Sequence, residues 1–189
     1  MPIPIQEEIV TIVDEKNRVV GAAPRSRMRA DGLPHRATYI LVFNDEGELF
    51  VQKRTTGKDI YPGYYDVATG GVVLAGESYE DAAEREIAEE LGITGVRLRG
   101  HFDFFHEDAG NRVWGRVFSC IYNGDVTLQE EEVESGAFHP VPEILEISRK
   151  RLFTPDGLYV LQRFIAQVSP PAARRENEEH DHTDPRKAV

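Results

Sequence analysis

Seven acidic side chains lie between residues 77 and 90, and only Arg85 offsets their charge. A solvated structural helix normally mixes the two signs of charge. Carboxylates this close repel one another unless a positive group lies between them. Oxygen ligands suit a hard divalent cation, Mg²⁺ or Mn²⁺, better than zinc, which prefers nitrogen or sulfur. The stretch therefore indicates a divalent-cation site, with an ordinary acidic surface helix as the alternative.

The residues around these carboxylates predict a glycine-rich loop, a helix and a glycine stop. Ser78 and Asp81 have the spacing of a capping box, and Gly92 stands where a left-handed C-terminal cap is expected. At about 100° per residue, three carboxylates fall on one edge of the helix: Glu86, Glu89 and Glu90. A neighbouring stripe is apolar and can pack on a sheet: Tyr79, Ala83, Ile87 and Leu91.

The flanking residues extend the pattern far beyond the helix. A glycine, a glutamate, an Arg-Glu pair, a Glu-Glu pair and a second glycine recur at fixed spacings, and every position is filled: Gly71, Glu77, Arg85, Glu86, Ile87, Glu89, Glu90, Gly92 and Ile93. This pattern resembles the Nudix box, the signature of hydrolases that cleave nucleoside diphosphates linked to another moiety. The resemblance implies a loop–helix–loop motif packed against a mixed sheet.

The resemblance also implies a role for each box residue. The metal ligands would be Glu86, Glu89, Glu90 and a backbone carbonyl at Gly70 or Gly71, with Glu89 or Glu90 also assisting the attacking water. Glu77 would complete or brace the cluster, and Arg85 would orient a glutamate rather than touch substrate. A further carboxylate from outside the box is usual in the family. We expect Glu132, in the acidic run 130–134, although a solvated loop explains most of that run.

Groups that could bind the substrate lie on either side of the box. Lys53, Arg54 and Lys58 precede it and could bind phosphates, or could be exposed charges at the end of a strand. Several aromatic side chains could stack on a base, although alternating aromatics in a strand are more often core residues. They are Tyr64, Tyr65, Phe102, Phe104 and Phe105.

A second resemblance is carried by His35-Arg36-Ala37 before an apolar strand and by Pro62-Gly63. These residues are similar to type I isopentenyl diphosphate isomerase, a relative with the Nudix fold. That enzyme needs a cysteine and a histidine at the entry to its box, where this chain has Gly70 and Val72. The closest resemblance is therefore to the isomerase-like bacterial Nudix hydrolases. His35 could bind metal or substrate, but a structural role is favoured. A third hypothesis is a non-catalytic, nucleotide-binding Nudix module, but the complete set of glutamates argues against it.

Composition limits the partners. The formal net charge of −11 over 189 residues disfavours nucleic-acid polymers, whose binding depends on Lys and Arg. A bound cation can reverse the local sign of the charge, so a small-molecule diphosphate substrate fits. A single cysteine, Cys120, fits a reducing compartment and is expected to be inert. With no basic-apolar leader and no apolar run of about 20 residues, we expect a cytoplasmic protein without a membrane span. The sequence leaves the oligomeric state open, with a homodimer as one option.

Alternating apolar patterns predict an α/β protein (α+β in detail), an α/β/α sandwich with a mixed sheet in one domain over residues 1–169. The apolar strand 37–43 is expected at its centre, paired with 49–52, and a last strand is expected to reach Val141. Thr154-Pro155 predicts a helix start, with Thr154 as the N-cap. The charged segment 170–189 has few apolar residues and is expected to be a disordered tail.

Overall fold

A computed structural model describes residues 7–168, which form eight strands and four helices. The strands are β1 (Ile9–Val13), β2 (Val19–Pro24), β3 (His35–Phe43), β4 (Leu49–Arg54), β5 (Tyr65–Asp66), β6 (Arg99–Glu107), β7 (Arg112–Ile121) and β8 (Val133–His139). The helices are α1 (Arg25–Ala30), α2 (Tyr79–Leu91), α3 (Val141–Ile147) and α4 (Pro155–Val168). The segment predicted to be a disordered tail, 170–189, lies outside the described residues.

The sheet is mixed and is organised around β3. This strand pairs in parallel with β7 over nine residues, from His35↔Val113 to Phe43↔Ile121. It touches β1 at Ile12 on its other side. Strand β4 pairs antiparallel with β8, and β6 pairs antiparallel with β7. The prediction of a central strand buried on both faces is confirmed, since Thr38 to Val42 are all buried.

Helices cover both faces of the sheet, as expected for an α/β/α sandwich. Ile40 and Val42 pack against the apolar stripe of α2 on one face. Tyr39 and Leu41 pack against α3 and α4 on the other. Side chains alternate between the two faces of a strand, so β3 contributes to both cores. The predicted fold class is confirmed, and the apolar stripe fixes which edge of α2 is left for the carboxylates.

One local expectation was wrong, and two were met only in part. The segment 49–52 pairs with the central strand as predicted, but only at Phe43↔Leu49, and the rest of β4 pairs with β8. Val141 does not extend the last strand but begins α3, because Pro140 ends β8 and leads into that helix. Thr154 precedes α4 as predicted, but its buried hydroxyl has no hydrogen-bond partner in the described part of the chain. No helix within residues 7–168 is long and apolar enough to cross a bilayer.

Candidate active site

The acidic helix begins and ends where its sequence predicts. The Ser78 hydroxyl accepts from the Asp81 amide, and the Asp81 carboxylate accepts from the Ser78 amide, which completes a capping box. Gly92 closes the helix in the left-handed conformation, with φ of 66°. Both ends are therefore fixed by local hydrogen bonds. The register of the carboxylate edge follows from the packing of Ile87 and Leu91.

Two glycines allow the loop before α2 to lie against its neighbours. Gly70 has φ of +139°, and a Cβ there would lie 2.2 Å from the carbonyl oxygen of Thr38. A Cβ on Gly71 would lie 2.5 Å from Oε1 of Glu86. Only glycine fits at either position, because each missing side chain leaves room for an oxygen atom. The Gly71 carbonyl accepts from the Thr38 amide at 2.9 Å. Among the described residues the Gly70 carbonyl accepts no hydrogen bond, so it is the better placed of the two as a ligand.

Arg85 holds the outer carboxylates together. Its Nε and Nη2 donate to the two oxygens of Glu77 at 2.8 and 3.0 Å, and its Nη1 donates to Glu86 at 2.7 Å. It also reaches Glu89 at 3.2 Å and the Val72 carbonyl at 3.1 Å. The hydrogen bonds from Arg85 lower the pKa of Glu77. All five contacts of Arg85 are to groups of the box, so in this arrangement it orients carboxylates.

Glu86 is a box carboxylate whose ionised form is disfavoured by its surroundings. Its side chain is 11% exposed, and burial together with the nearby charge of Glu90 raises its pKa to about 7, despite the ion pair with Arg85. A second positive charge would favour its ionised form. This is what a bound divalent cation supplies.

Glu90 is the most deeply buried of the three ligand candidates, at 2% exposure. Its Oε2 accepts from the Thr69 hydroxyl, from the Gly70 amide at 3.2 Å and from the Gln52 side-chain amide at 3.5 Å. Three donors from β4 and the glycine loop therefore hold Oε2 in place, and Oε1 is left facing Lys58. Thr69 and Gln52 were not predicted as site residues.

The carboxylate predicted outside the box also reaches it. The Lys58 ammonium forms an ion pair with Oε2 of Glu132 and lies 3.6 Å from Oε1 of Glu90. Burial lowers the pKa of Lys58, although Glu90 opposes this shift. A positive group thus lies between a buried carboxylate of α2 and a carboxylate of the segment before β8. Glu132 is the acidic residue in the run 130–134 that approaches the box in this way.

The carboxylates are not already arranged around one point. Within the described residues, no three acidic, histidine or cysteine side chains lie at distances suited to a single ion. Glu86 and Glu89 turn toward Arg85, and Glu90 turns toward Thr69 and Lys58. The donor chemistry fits a hard cation, since all donors are carboxylate or carbonyl oxygens. Binding would require Glu89, which is half exposed, and Glu132 to rotate.

The predicted phosphate-binding cations fall into two groups. Arg54 and Lys58 line a small cavity of about 80 Å³ that also contacts Gly70 and Gly71. Lys53 points to the opposite face of β4, where it pairs with Glu134 at 2.7 Å. Side chains alternate between the two faces of a strand, so the side chain of Lys53 lies on the opposite face of β4 from those of Gln52 and Arg54. The structure therefore does not bring Lys53 to the box.

His35 is buried at 2% exposure and lines the same small cavity. Burial and the adjacent Arg29 lower its pKa to about 4, so the ring is neutral at pH 7. Its Nδ1 lies 3.1 Å from the Leu33 carbonyl, and its Nε2 lies 3.4 Å from Nη1 of Arg29. These contacts fit the structural role. Arg29 itself pairs with Asp59 at 3.0 Å and was not predicted.

Three of the five aromatic side chains proposed for base stacking lie in the core or pack against it, whereas Phe105 is exposed. Phe104 is 3% exposed and packs edge-on against Tyr39, with the ring centroids 4.9 Å apart. Tyr65 stacks on Phe153, and Phe102 lies under Arg163. The aromatics that do line the cavity beside the box are Tyr39 and Tyr61. The Tyr61 hydroxyl donates to Asp108 and so joins the loop over the cavity to the β6–β7 turn.

Two features of the sequence could have identified the missed residues. Arg25 and Arg29, one helical turn apart in an acidic chain, predict one positive edge, and both line the cavity. Thr69 immediately precedes the glycine pair, where a hydroxyl can reach the helix that follows. Asp66 and Asp156 give no such signal, because they meet only through the fold. Both are buried in the cavity wall, and burial raises the pKa of Asp66 to about 7.

Comparison with known proteins identifies the family. The family model described as NUDIX domain matches residues 33–164. A Nudix hydrolase of Pseudomonas aeruginosa is 45% identical over 158 residues, which cover 84% of this chain and 94% of that protein. The chain belongs to the Nudix hydrolase family. The Nudix hydrolase YfcD of Escherichia coli strain K12 is 47% identical over 154 residues, covering 82% of this chain and 84% of YfcD. The expected membership among bacterial Nudix hydrolases is confirmed.

Solved structures extend the likeness of this Nudix hydrolase to the fold. A protein from Deinococcus radiodurans superposes with a TM-score of 0.72 at 23% identity, covering 82% of this chain and 98% of that one. The NUDIX domain of Shewanella oneidensis NrtR, solved in complex with ADP-ribose, has a TM-score of 0.58 at 13% identity. It covers 72% of this chain and 88% of that one. At these identities the likeness is one of fold alone.

Proposed function

We propose that this Nudix hydrolase cleaves a diphosphate linkage, in a nucleoside diphosphate derivative, with Mg²⁺ or Mn²⁺ as its cofactor. One observation carries the proposal. The ammonium group of Lys58 lies between Glu90 and Glu132, so carboxylates from two separate elements already share a cation. A divalent ion with oxygen ligands matches that position in charge and chemistry.

The residues that would hold the ion are Glu86, Glu89, Glu90, Glu132 and the carbonyl of Gly70. When bound, such an ion neutralises phosphate charge and lowers the pKa of a coordinated water. Thr69 and the Gly70 amide would keep Glu90 aimed, while Arg85 would limit the rotation of Glu86 and brace Glu77. Glu89 has the most exposed carboxylate of the set, so it is the group best placed to take a proton from the attacking water.

Lys58 and Arg54 would bind the phosphates. If Glu90 and Glu132 held a divalent ion, Lys58 would lose these two carboxylate partners, and its ammonium would be free for an anionic ligand. The guanidinium of Arg54 lies 3.7 Å from Asp66, a loose ion pair beside the same cavity. The cavity of about 80 Å³ is far smaller than the roughly 300–1,000 Å³ of small-molecule sites. The organic part of the substrate would therefore lie outside it, or the loop that carries Tyr61 would move.

The partner class follows from the same chemistry. A diphosphate carries several negative charges close together, so it complements the positive charges of Lys58 and Arg54 in a chain of net charge −11. The related fold of NrtR was solved with ADP-ribose, a small molecule, which supports this class of partner. The lone, buried Cys120 fits a reducing compartment, so a cytoplasmic location is part of the proposal.

A metal titration with paired glutamate variants tests the proposal. Phosphate and pyrophosphate release would be measured for nucleotide sugars, dinucleoside polyphosphates, nucleoside di- and triphosphates and isoprenoid diphosphates, with each metal. Turnover should require the metal, and Glu89→Gln and Glu90→Gln should each abolish it with the fold retained. Glu84→Gln is the matched control, because Glu84 is exposed on the same helix. Full activity in either site variant, or in the metal-free enzyme, would overturn the assignment.

The isomerase hypothesis is disfavoured by the lack of room for a side chain at Gly70. The corresponding position in the isomerase carries a cysteine, but a Cβ here would lie 2.2 Å from the Thr38 carbonyl oxygen. The backbone around Gly70 would have to shift before a side chain could fit. An assay for allylic diphosphate product from isopentenyl diphosphate should therefore be negative. Tight nucleotide binding with no phosphate release under either metal would instead support the non-catalytic module.

A further inference from the structure

A second cavity, of about 310 Å³, lies on the face of the sheet that α3 covers. Val51 lines it, whereas the next residue of β4, Gln52, contacts Glu90 on the opposite face. Its volume falls at the lower end of the roughly 300–1,000 Å³ typical of small-molecule sites. The cavity is therefore separated from the box by the thickness of the sheet.

The body of this cavity is apolar. Val51 and Ala137 form its floor, and Ile144 and Ile147 of α3 form one wall. The other wall is an aromatic pair, Tyr65 stacked on Phe153, with ring centroids 5.4 Å apart and an interplanar angle of 28°. A compact apolar group would lose its water contact here against side chains on three sides.

Apart from a tyrosine, the ionisable groups that line the cavity are all basic. Lys53, His139 and Arg151 line it, and none of the described residues that line it is acidic. The formal net charge of the chain is −11, so this local reversal of sign stands out. The acidic partners of Lys53 and His139, which are Glu134 and Glu143, do not belong to the lining.

The two strong cations flank one residue, Tyr65. Lys53 is the β-sheet partner of Tyr65, and Nη1 of Arg151 donates to the Tyr65 hydroxyl at 2.8 Å. Arg151 forms no ion pair with any described residue. The hydrogen bond with Glu134 raises the pKa of Lys53, whereas the charge of Arg151 opposes that rise. Two positive groups that repel each other beside an apolar cavity fit a shared anionic ligand.

We propose that this cavity is a second ligand site, which binds a small amphipathic anion through an apolar body against Phe153 and one carboxylate or phosphate head between Lys53 and Arg151. The guanidinium of Arg151 supplies paired donors that match either head group. The proposal does not depend on the diphosphate chemistry of the box.

Calorimetric titration of the full chain in EDTA tests the site. The probes are nonanoate and octyl phosphate, which share an octyl chain and differ in head group, with octylamine as the cationic counterpart. At least one anionic probe should bind one site per chain, and octylamine should bind at least about tenfold more weakly, a difference within reach of one charge-assisted contact. The stronger of the two anions identifies the head group. Equal binding of octylamine, or no binding of either anion at about 1 mM, would overturn the proposal.

Variants locate the site. Arg151→Gln should weaken the anion about tenfold, and Ala137→Phe, which fills the floor, should abolish its binding. Lys150→Gln is the matched control, because Lys150 is an exposed neighbour that pairs with Glu146 and does not line the cavity. Glu90→Gln should leave the affinity unchanged, which separates this site from the box. If Arg151→Gln and Ala137→Phe both bind like the parent, the ligand lies elsewhere and the proposal fails.

Discussion

The substitution Glu86→Gln should stabilise the metal-free protein while removing a ligand of the proposed metal site. Burial and the charge of Glu90 raise the pKa of Glu86 from its ordinary 4.5 to about 7. The raised value means that ionising Glu86 costs more in the folded than in the unfolded state. At about 1.4 kcal/mol per pH unit, the difference amounts to about 3 kcal/mol. Glutamine resembles the protonated acid in shape and charge, and so avoids this cost.

The sign of the pH dependence follows from linkage. Below about pH 4.5 both states hold the proton, so Glu86 has no effect on stability. Between that pH and about 7 the unfolded state has lost the proton and the folded state has not, so stability falls as pH rises. Above about pH 7 both states are ionised and the full cost persists. The gain from Glu86→Gln should therefore be about 1 kcal/mol near pH 5.5 and about 3 kcal/mol near pH 8.

Urea unfolding in EDTA at these two pH values measures the gain as a difference between variant and parent, which cancels the titration of the other groups. Glu89→Gln is the matched control. Its carboxylate is 53% exposed, and its contact to Arg85 is longer, at 3.2 Å, so its effect should stay within about 0.5 kcal/mol at both pH values. Adding Mg²⁺ should stabilise the parent and not Glu86→Gln, since an ion that binds only the folded state raises its stability. A variant less stable than the parent near pH 8, or a gain that does not change with pH, would refute this reasoning.

Three further outcomes follow from the site and the core. Thr69→Val removes the buried hydroxyl that donates to Glu90, and Mg²⁺ affinity by calorimetry should fall at least about tenfold, with Thr69→Ser retaining most of it. Gly71→Ala places a methyl 2.5 Å from Oε1 of Glu86, so kcat/KM should fall about tenfold or more with an unchanged far-ultraviolet circular dichroism spectrum; parent-like kinetics would contradict the packing argument. Cys120 is 5% exposed and burial raises its pKa to about 11, so iodoacetamide at neutral pH should label the urea-unfolded chain by mass spectrometry and leave the native chain unlabelled.

The features predicted correctly from sequence are those encoded within a few residues. Ser78, Asp81 and Gly92 determine the two ends of α2 through hydrogen bonds that span no more than six residues. The spacing of Ile87 and Leu91 determines which edge faces the sheet. These local signals place Glu86, Glu89 and Glu90 on the other edge without any knowledge of the remaining fold.

The features that were missed depend on pairing between distant segments. The nine-residue parallel pairing of β3 with β7 cannot be read from either strand, because each is compatible with several partners.

The position of Lys53 was predictable in principle. Residues alternate along a strand, so the same spacing that directs Gln52 toward Glu90 directs Lys53 away from it. Grouping Lys53 with Arg54 and Lys58 as phosphate-binding candidates overlooked this alternation.

The repulsion among the box carboxylates is relieved by two cations with different degrees of constraint. Arg85 makes five hydrogen bonds to groups of the box, so displacing it would break several charge-assisted contacts at once. Lys58 contacts two carboxylates, and burial lowers its pKa, which means that its charged form is already partly disfavoured where it lies. A divalent ion that competes for these oxygens should therefore displace Lys58 and leave Arg85 in place. Under the proposed chemistry, only the displaced Lys58 would then be available to an incoming phosphate. The acidic helix would thus use one fixed cation, Arg85, and one exchangeable cation, Lys58, which comes from a loop outside the box.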